Sequence, residues 1–276
     1  MKKIFLLLSC IATLQKNHSQ SANPAVIPCG VKINVTDMDK AIDFYVDKLG
    51  FSIASGNKKP AMVFLSVQAD RSIVVLNLVR NLLPEGANES RAEFTLQVND
   101  LDSAVEKLKK KGIDFGNAVK RKEGVGYAIF CKDPFNTSIS LMHQTIVAVP
   151  HFPEPQIYNY GLLIPDMNAG RDFYKQLGFI EKTERYLPLD MPLYNPDGSF
   201  AFMLHYREKV EPVIQNSAGN EHIVLLFKTD DLGKTIKRLK GKVQFIQKDI
   251  QRNESGPFIS FADNTGFISE LIEKKD

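Results

Sequence analysis

The chain of 276 residues contains no tryptophan and only three cysteines. Cys10, Cys29 and Cys131 form no CxxC pair and no Cys/His spacing of the zinc type, which excludes a structural zinc module. Cys29 and Cys131 read as two separate small core residues, although an oxidising compartment would permit them to pair. A basic surplus is also missing. Lys and Arg number 35 against 32 acidic residues, and Lys2, Lys3 and Lys16 lie in a segment that reads as removable. The remainder is near neutral and carries no sustained basic run, which argues against a nucleic-acid or anionic-membrane partner. No stretch reaches the roughly 18 apolar residues that mark a membrane span. There is no G-x-S-x-G nucleophile turn and no phosphate-binding glycine loop. Without Trp, any stacking pocket relies on Phe and Tyr.

The N-terminus has the features of an export signal over residues 1–21. Lys2-Lys3 is a positive start, Ile4 to Leu14 is apolar but too short to cross a bilayer, and Ser19-Gln20-Ser21 suits cleavage. Leu7-Leu8-Ser9-Cys10 offers a second reading, a lipoprotein signal with Cys10 as the lipidated residue. Either places the mature protein in the periplasm or the envelope; the competing reading is a frayed N-terminus of a cytoplasmic protein.

What the rest of the chain has is one pattern written twice. Val35-Thr36-Asp37-Met38, Phe44-Tyr45 and Leu49-Gly50-Phe51 return as Ile164-Pro165-Asp166-Met167, Phe173-Tyr174 and Leu177-Gly178-Phe179. Asp100-Leu101 returns as Asp231-Leu232, and Asp133 as Asp263. Anchors that share one offset, about 130 residues, indicate tandem duplication. The repeat predicts an N-terminal domain over 24–146 and a C-terminal domain over 157–274. Pro150, Pro153 and Pro155 make residues 147–156 a stiff linker, because proline fixes φ and cannot donate to a sheet.

Each half contains two units of strand, helix, then strands. In each unit an aspartate (Asp37, Asp100, Asp166, Asp231) stands where its carboxylate can cap the free N–H groups of a helix. The helix follows with apolar residues on one face, such as Ala41, Phe44, Tyr45 and Leu49. Phe179 to Tyr186 and Phe200 to Tyr206 read as strands. Leu187 to Ser199, with three prolines and a glycine, reads as a long loop of the kind that often forms a lid. The fold class is α+β, a tandem repeat of paired βαβββ units, each half expected to close one open half-barrel cup.

The order V-x-D, a helix with F-Y, L-G-F, a second V-x-D-L helix, then a D-P-x-N turn before the last strand resembles the vicinal oxygen chelate superfamily of glyoxalases, bleomycin-resistance proteins and extradiol dioxygenases. The resemblance covers residues 27 to 273 and speaks for fold more than for chemistry. It implies a cup that in metal-dependent members holds a divalent ion, Mn, Fe, Ni or Zn, which polarises two oxygens of a substrate. The implied ligands lie seven residues before each capping Asp and seven after the D-P turn.

In the first half those positions are Gly30, Glu93 and Ser140. Only Glu93 could ligate, so the first cup is expected to be metal-free and Glu93 a solvated or hydrogen-bonded strand residue. In the second half they are Asn159, Val224 and Glu270. His222 lies two residues before Val224 on the same strand face, and His205 ends a neighbouring strand. His205, His222 and Glu270 are therefore the candidate metal ligands, with Glu270 the candidate catalytic base, and Asn159, Tyr186, Tyr194 and Phe202 the candidate pocket. The competing reading makes His205 a rim residue, His222 a strand cap and Glu270 one half of an ion pair. Functionally this leaves a small-molecule binder of unknown substrate, a metal-dependent lyase, isomerase or dioxygenase, or a structural or partner-binding module.

Overall fold

The computed structural model describes residues 25–55, 61–67, 73–82, 91–123, 125–145, 156–182, 189–209, 221–253 and 256–273. The segment expected to be an export signal, with Cys10, and the prolines of the expected linker lie outside these residues, as does Tyr186. The first unit comprises β1 (Ile27–Val35), α1 (Met38–Ile42), which widens into a π-helical turn over Asp43–Lys48, β2 (Ser52–Ser55), β3 (Met62–Ser66) and β4 (Ile73–Leu78). The second comprises β5 (Ala92–Gln97), α2 (Leu101–Lys110), β6 (Arg121–Glu123), β7 (Gly126–Lys132) and β8 (Ser138–Gln144). The third holds β9 (Gln156–Ile164), α3 (Met167–Leu177), β10 (Asp190–Tyr194) and β11 (Phe200–Tyr206). The fourth holds β12 (Ile223–Thr229), α4 (Leu232–Leu239), β13 (Gln244–Phe245), β14 (Gln251–Asn253), β15 (Gly256–Ala262) and β16 (Ile268–Glu273).

The repeat is legible in the local contacts. Asp37, Asp100, Asp166 and Asp231 each accept from the backbone N–H three residues on, satisfying a helix-terminal donor that would otherwise have no partner. In every unit the first strand pairs in parallel with the last, β1 with β4, β5 with β8, β9 with β11 and β12 with β16, the helix lying on the crossover. Gly178 ends α3 at φ 113°, in the left-handed region where a Cβ is penalised.

The units associate differently from the expectation. A nine-stranded sheet runs β13-β15-β16-β12-β1-β4-β3-β2, with β14 on β15, and a seven-stranded sheet runs β10-β11-β9-β5-β8-β7-β6. The first unit therefore joins the fourth through antiparallel β1–β12, and the second joins the third through antiparallel β5–β9. The expectation that each half closes its own cup is corrected: each sheet takes one unit from each half. The reason is edge pairing. The outer edge of the first strand of each unit is free to take an antiparallel partner, and a two-fold exchange satisfies all four edges.

The second correction concerns the loop over 187–199. Residues 190–194 form edge strand β10, and Pro192 is tolerated there because an edge position needs no second ladder donor. Of the strand expected over 179–186, the described residues 179–182 make a bridge between Ile180 and Tyr194, and residues 183–188 lie outside the described set.

Helix-facing residues of both sheets merge into one core that includes Val31, Ile33, Phe94, Leu96, Leu162, Phe202, Phe227 and Leu271. Cys29 and Cys131 are free and buried in different sheets, and burial pushes both thiols up to about 12, so neither is a nucleophile near neutral pH. Among the described residues no helix is long and apolar enough to cross a membrane.

Because the sheets are shared, cleavage within residues 147–155 is expected to leave two fragments that co-elute as one species on gel filtration and separate only in denaturant. Independent elution of two folded pieces would contradict the shared sheets.

Candidate functional site

Strand alternation gives each sheet a second face, away from the helices. On the seven-stranded sheet this face carries Glu93 on β5, Gly161 on β9 and His205 on β11. Glu93 stands opposite Gly161, and Gly161 is the register partner of Met203, two residues from His205. Gly161 has no side chain for a reason. A Cβ there would lie 2.8 Å from the His205 ring and 3.0 Å from Cγ of Glu93, so the glycine is what lets the imidazole and the carboxylate approach across β9.

His205 Nδ1 lies 2.6 Å from Asp190 Oδ1, with β10 positioning the carboxylate directly opposite. Nε2 faces Glu93 Oε1 at 3.9 Å and has no hydrogen-bond partner although it is buried. A carboxylate on one ring nitrogen, with the other aimed into a site, is the arrangement that orients histidine for proton transfer or ligation. Burial by itself would lower the His205 pKa. The hydrogen bond that Nδ1–H donates to Asp190 and the charges of Glu93, Asp190 and Glu123 more than offset it, and the imidazole is raised above its ordinary 6.5. Glu93 is raised above the usual carboxylate value, first by burial and further by Glu123 and Asp190, against the pull of His205.

Glu93 lines a cavity of about 420 Å³ together with Arg121, Phe130, Lys132, Leu163 and Arg207. Arg121 lies over the Phe130 ring, 5.7 Å from its centroid. Three cationic side chains thus surround an opening with a single carboxylate at its wall, and His205 stands behind that carboxylate.

On the nine-stranded sheet the corresponding face carries Lys32 and Asn34 on β1, Asn77 on β4 and Glu270 on β16. Lys32 Nζ is hydrogen-bonded and ion-paired to Glu270 Oε1, both side chains being buried. Asn77 Nδ2 donates to Asn34 Oδ1 at 2.7 Å, and Asn34 Nδ2 donates to the Glu221 carbonyl. His222 Nδ1 donates to the Phe135 carbonyl oxygen at 2.5 Å.

The candidate trio His205, His222 and Glu270 is therefore not brought together. His205 belongs to the seven-stranded sheet, while His222 and Glu270 belong to the other, because the third and fourth units lie in different sheets. Of the pocket candidates, Phe202 is fully buried in the aromatic core, its ring centroid 4.9 Å from Tyr174 and 5.1 Å from Phe179, since position 202 faces the helices. Tyr194 packs on Phe200 and lies under Lys182 Nζ. Asn159, opposite Thr95, keeps a buried Oδ1 with no hydrogen-bond partner. Glu93, expected as a solvated or hydrogen-bonded strand residue, lines the cavity, and Arg121, Lys132 and Arg207 beside it, with Asp190 on His205, are side chains of this candidate site that the sequence did not single out. Their signal was available only from the pairing of the second unit with the third.

Fold and site together define a duplicated α+β scaffold whose cups are built from units of both halves. The chain belongs to the Glyoxalase/Bleomycin resistance protein/Dioxygenase superfamily, whose family model matches residues 28–141 and 156–271. It is 24% identical to a lactoylglutathione lyase of Arabidopsis thaliana, over 89% of this chain and 91% of that protein. Its fold is similar to that of glyoxalase I from Zea mays, at a TM-score of 0.65 and 16% identity, covering 91% of this chain and 93% of that one. It is also similar to a candidate dioxygenase from Bacillus subtilis, at a TM-score of 0.66 and 10% identity, covering 92% and 87%.

Members of this superfamily commonly use a divalent metal, and the two cups differ in how well their residues suit one. Among the described residues no three His, Cys, Asp or Glu side chains converge as a metal site. In the nine-stranded cup the donors do not fit. Glu270 holds an ammonium, Val224 is apolar, and a Cβ at Gly30 would lie 2.0 Å from the Ile73 carbonyl oxygen, so no ligand can stand there. In the seven-stranded cup the unpartnered His205 Nε2 and Asn159 Oδ1, with the Glu93 carboxylate, are an N/O donor set of the kind that divalent ions accept.

Two outcomes are expected from substitution. By NMR, the His205 ring should titrate above 6.5 in the parent and move down in Asp190→Asn, because the carboxylate charge that favours the protonated ring is lost. Gly161→Ala should remain folded but displace the imidazole from Glu93, with a similar downward shift; an unmoved titration in both variants would refute this geometry.

Proposed function

We propose that the seven-stranded cup binds a small anionic molecule, and that Glu93, backed by His205 and Asp190, exchanges a proton with it. The observation that carries this reading is the placement of Arg121, Lys132 and Arg207 around one cavity of about 420 Å³, with Glu93 in its wall. Guanidinium groups recognise carboxylates and phosphates through paired N–H donors, and a cavity of this size suits a metabolite or a drug-sized ligand. A carboxyl raised by burial is closer to the pH at which it can both give and take a proton. When protonated, His205, whose pKa is also raised, favours the ionised form of Glu93. A carboxylate-bearing thioester, of the kind named by the Arabidopsis relative, suits the charge of this cup.

A second reading is favoured by the unpartnered His205 Nε2. Glu93, His205 and Asn159 would hold a divalent ion, and Asp190 would orient the imidazole. Such an ion supplies Lewis-acid polarisation of a ligand oxygen. In either case Arg121, Lys132 and Arg207 bind and orient the anion; in the second Glu93 and His205 would serve as ligands.

Calorimetric titration of the purified protein with S-lactoylglutathione, phosphoglycolate and a neutral amide analogue tests the first reading. At least one anion should bind, the neutral analogue should not, and Arg207→Gln or Arg121→Gln should weaken binding by about tenfold or more, the loss of one charge-assisted contact. Equal affinity of parent and variants would overturn it. Mn²⁺ uptake measured by elemental analysis decides the second reading, which requires uptake that Glu93→Gln and His205→Ala each abolish.

A further inference from the structure

The nine-stranded cup keeps the glutamate at the superfamily's ligand position but surrounds it with no ion-holding set. Glu270 on β16 lies next to Leu226 of β12, and Lys32 on β1 lies next to Val224 of the same strand. The two side chains therefore meet across β12, over an apolar floor, from units separated by most of the chain. The pair is flanked by a small buried cluster of Cys29, Met62, Val75 and Leu226, distinct from the main core.

A carboxylate buried on such a floor needs a cation, because an ionised group without one bears a large desolvation cost. A divalent ion meets that need with several donors. Here the other donors are engaged elsewhere. The Asn34 amide is tied to Asn77 and to the Glu221 carbonyl, and His222 Nδ1 donates to the Phe135 carbonyl in the second unit. Gly30 cannot carry a side chain at all, given the Ile73 carbonyl beside it. The lysine ammonium is the cation that reaches the carboxylate, and its attachment to β1 keeps it there at any metal concentration.

We propose that Lys32 is a tethered cation that takes, in this cup, the place of a divalent ion, making the cup a metal-independent junction between the first and last units. The ion pair then has a mechanical task. It joins strands on the two sides of β12 and so spans the seam where the two halves of the chain meet. This division of labour leaves the seven-stranded cup, with its unpartnered imidazole nitrogen, as the ligand site. The proposal concerns the other cup, so its outcome is independent of whether an anion binds to Glu93's side.

The test uses the full-length chain carrying His205→Ala, so that the seven-stranded cup does not contribute a metal response. Melting temperature is read with EDTA and with millimolar Mn²⁺, and bound manganese is read by elemental analysis. The Lys32 parent should melt at one temperature in both conditions and hold no manganese. Lys32→Met keeps the length of the side chain and removes its charge. It should melt roughly 6–20 °C lower, the range expected for a stranded buried charge in a domain of this size, and Mn²⁺ should not recover that loss, because the other donors of this cup are engaged. Lys32→Met combined with Glu270→Gln removes both charges and should recover stability without responding to Mn²⁺. If Lys32→Met alone does not fold, recovery of folding in the paired variant carries the test. The proposal is overturned if the Lys32 parent is stabilised by Mn²⁺, if Lys32→Met melts with the parent or is restored by Mn²⁺, or if the paired variant remains as unstable as the single one.

Discussion

The structure depends on two antiparallel seams. At one, β1 pairs with β12 from Ile27↔Lys228 to Ile33↔Ile223; at the other, β5 pairs with β9 from Ala92↔Leu162 to Gln97↔Gln156. Every residue bonded across a seam has its partner in the opposite half of the chain. The exchange leaves neither half with a complete sheet of its own, so the two halves fold as one molecule and each cup is a joint product. Glu93 meets His205, and Lys32 meets Glu270, only because of this.

What holds the units of one half together is a different contact, and it accounts for the repeat signature. Tyr45 donates to Asp133 at 2.7 Å, and Tyr174 donates to Asp263 at 3.1 Å. The other carboxylate oxygen of each Asp closes its own turn, accepting from Phe135 and Thr137 in one case and from Thr265 and Phe267 in the other. Both tyrosines are fully buried, and burial first, then the neighbouring carboxylate, raises their pKa well above 10. They remain donors throughout the physiological range. The residues that made the duplication visible, Phe-Tyr on the helices and the turn aspartates, are thus structural links between units and take no part in either cup.

The two cups solve the problem of buried charge in opposite ways. In the nine-stranded cup Lys32 and Glu270 neutralise one another. In the seven-stranded cup Glu93, Asp190 and Glu123 act on a single imidazole that keeps one nitrogen unpartnered. Sites that retain unmet polar capacity and displaced pKa values are where ligands and chemistry are found, whereas a satisfied pair contributes rigidity and specificity of assembly.

Sequence alone determined the four units, their capped helices, the α+β class and the superfamily, because these follow from short-range periodicity and from spacing within one unit. It also singled out Glu93, His205, His222, Asn159 and Glu270 as side chains with ligating chemistry. It did not reveal which of them share a cup. That was decided by which strand edges paired, a choice among contacts more than a hundred residues apart for which local pattern carries no information. Asp190 was hidden in a segment that three prolines made look like a loop, yet an edge strand tolerates a proline such as Pro192. Lys32, a cation in an otherwise apolar strand, acquires meaning only when β16 brings Glu270 across β12 to meet it. Tertiary structure therefore assigned the chemistry, since a charged side chain's role depends on the charge that faces it, and here the facing charge comes from the other half of the chain.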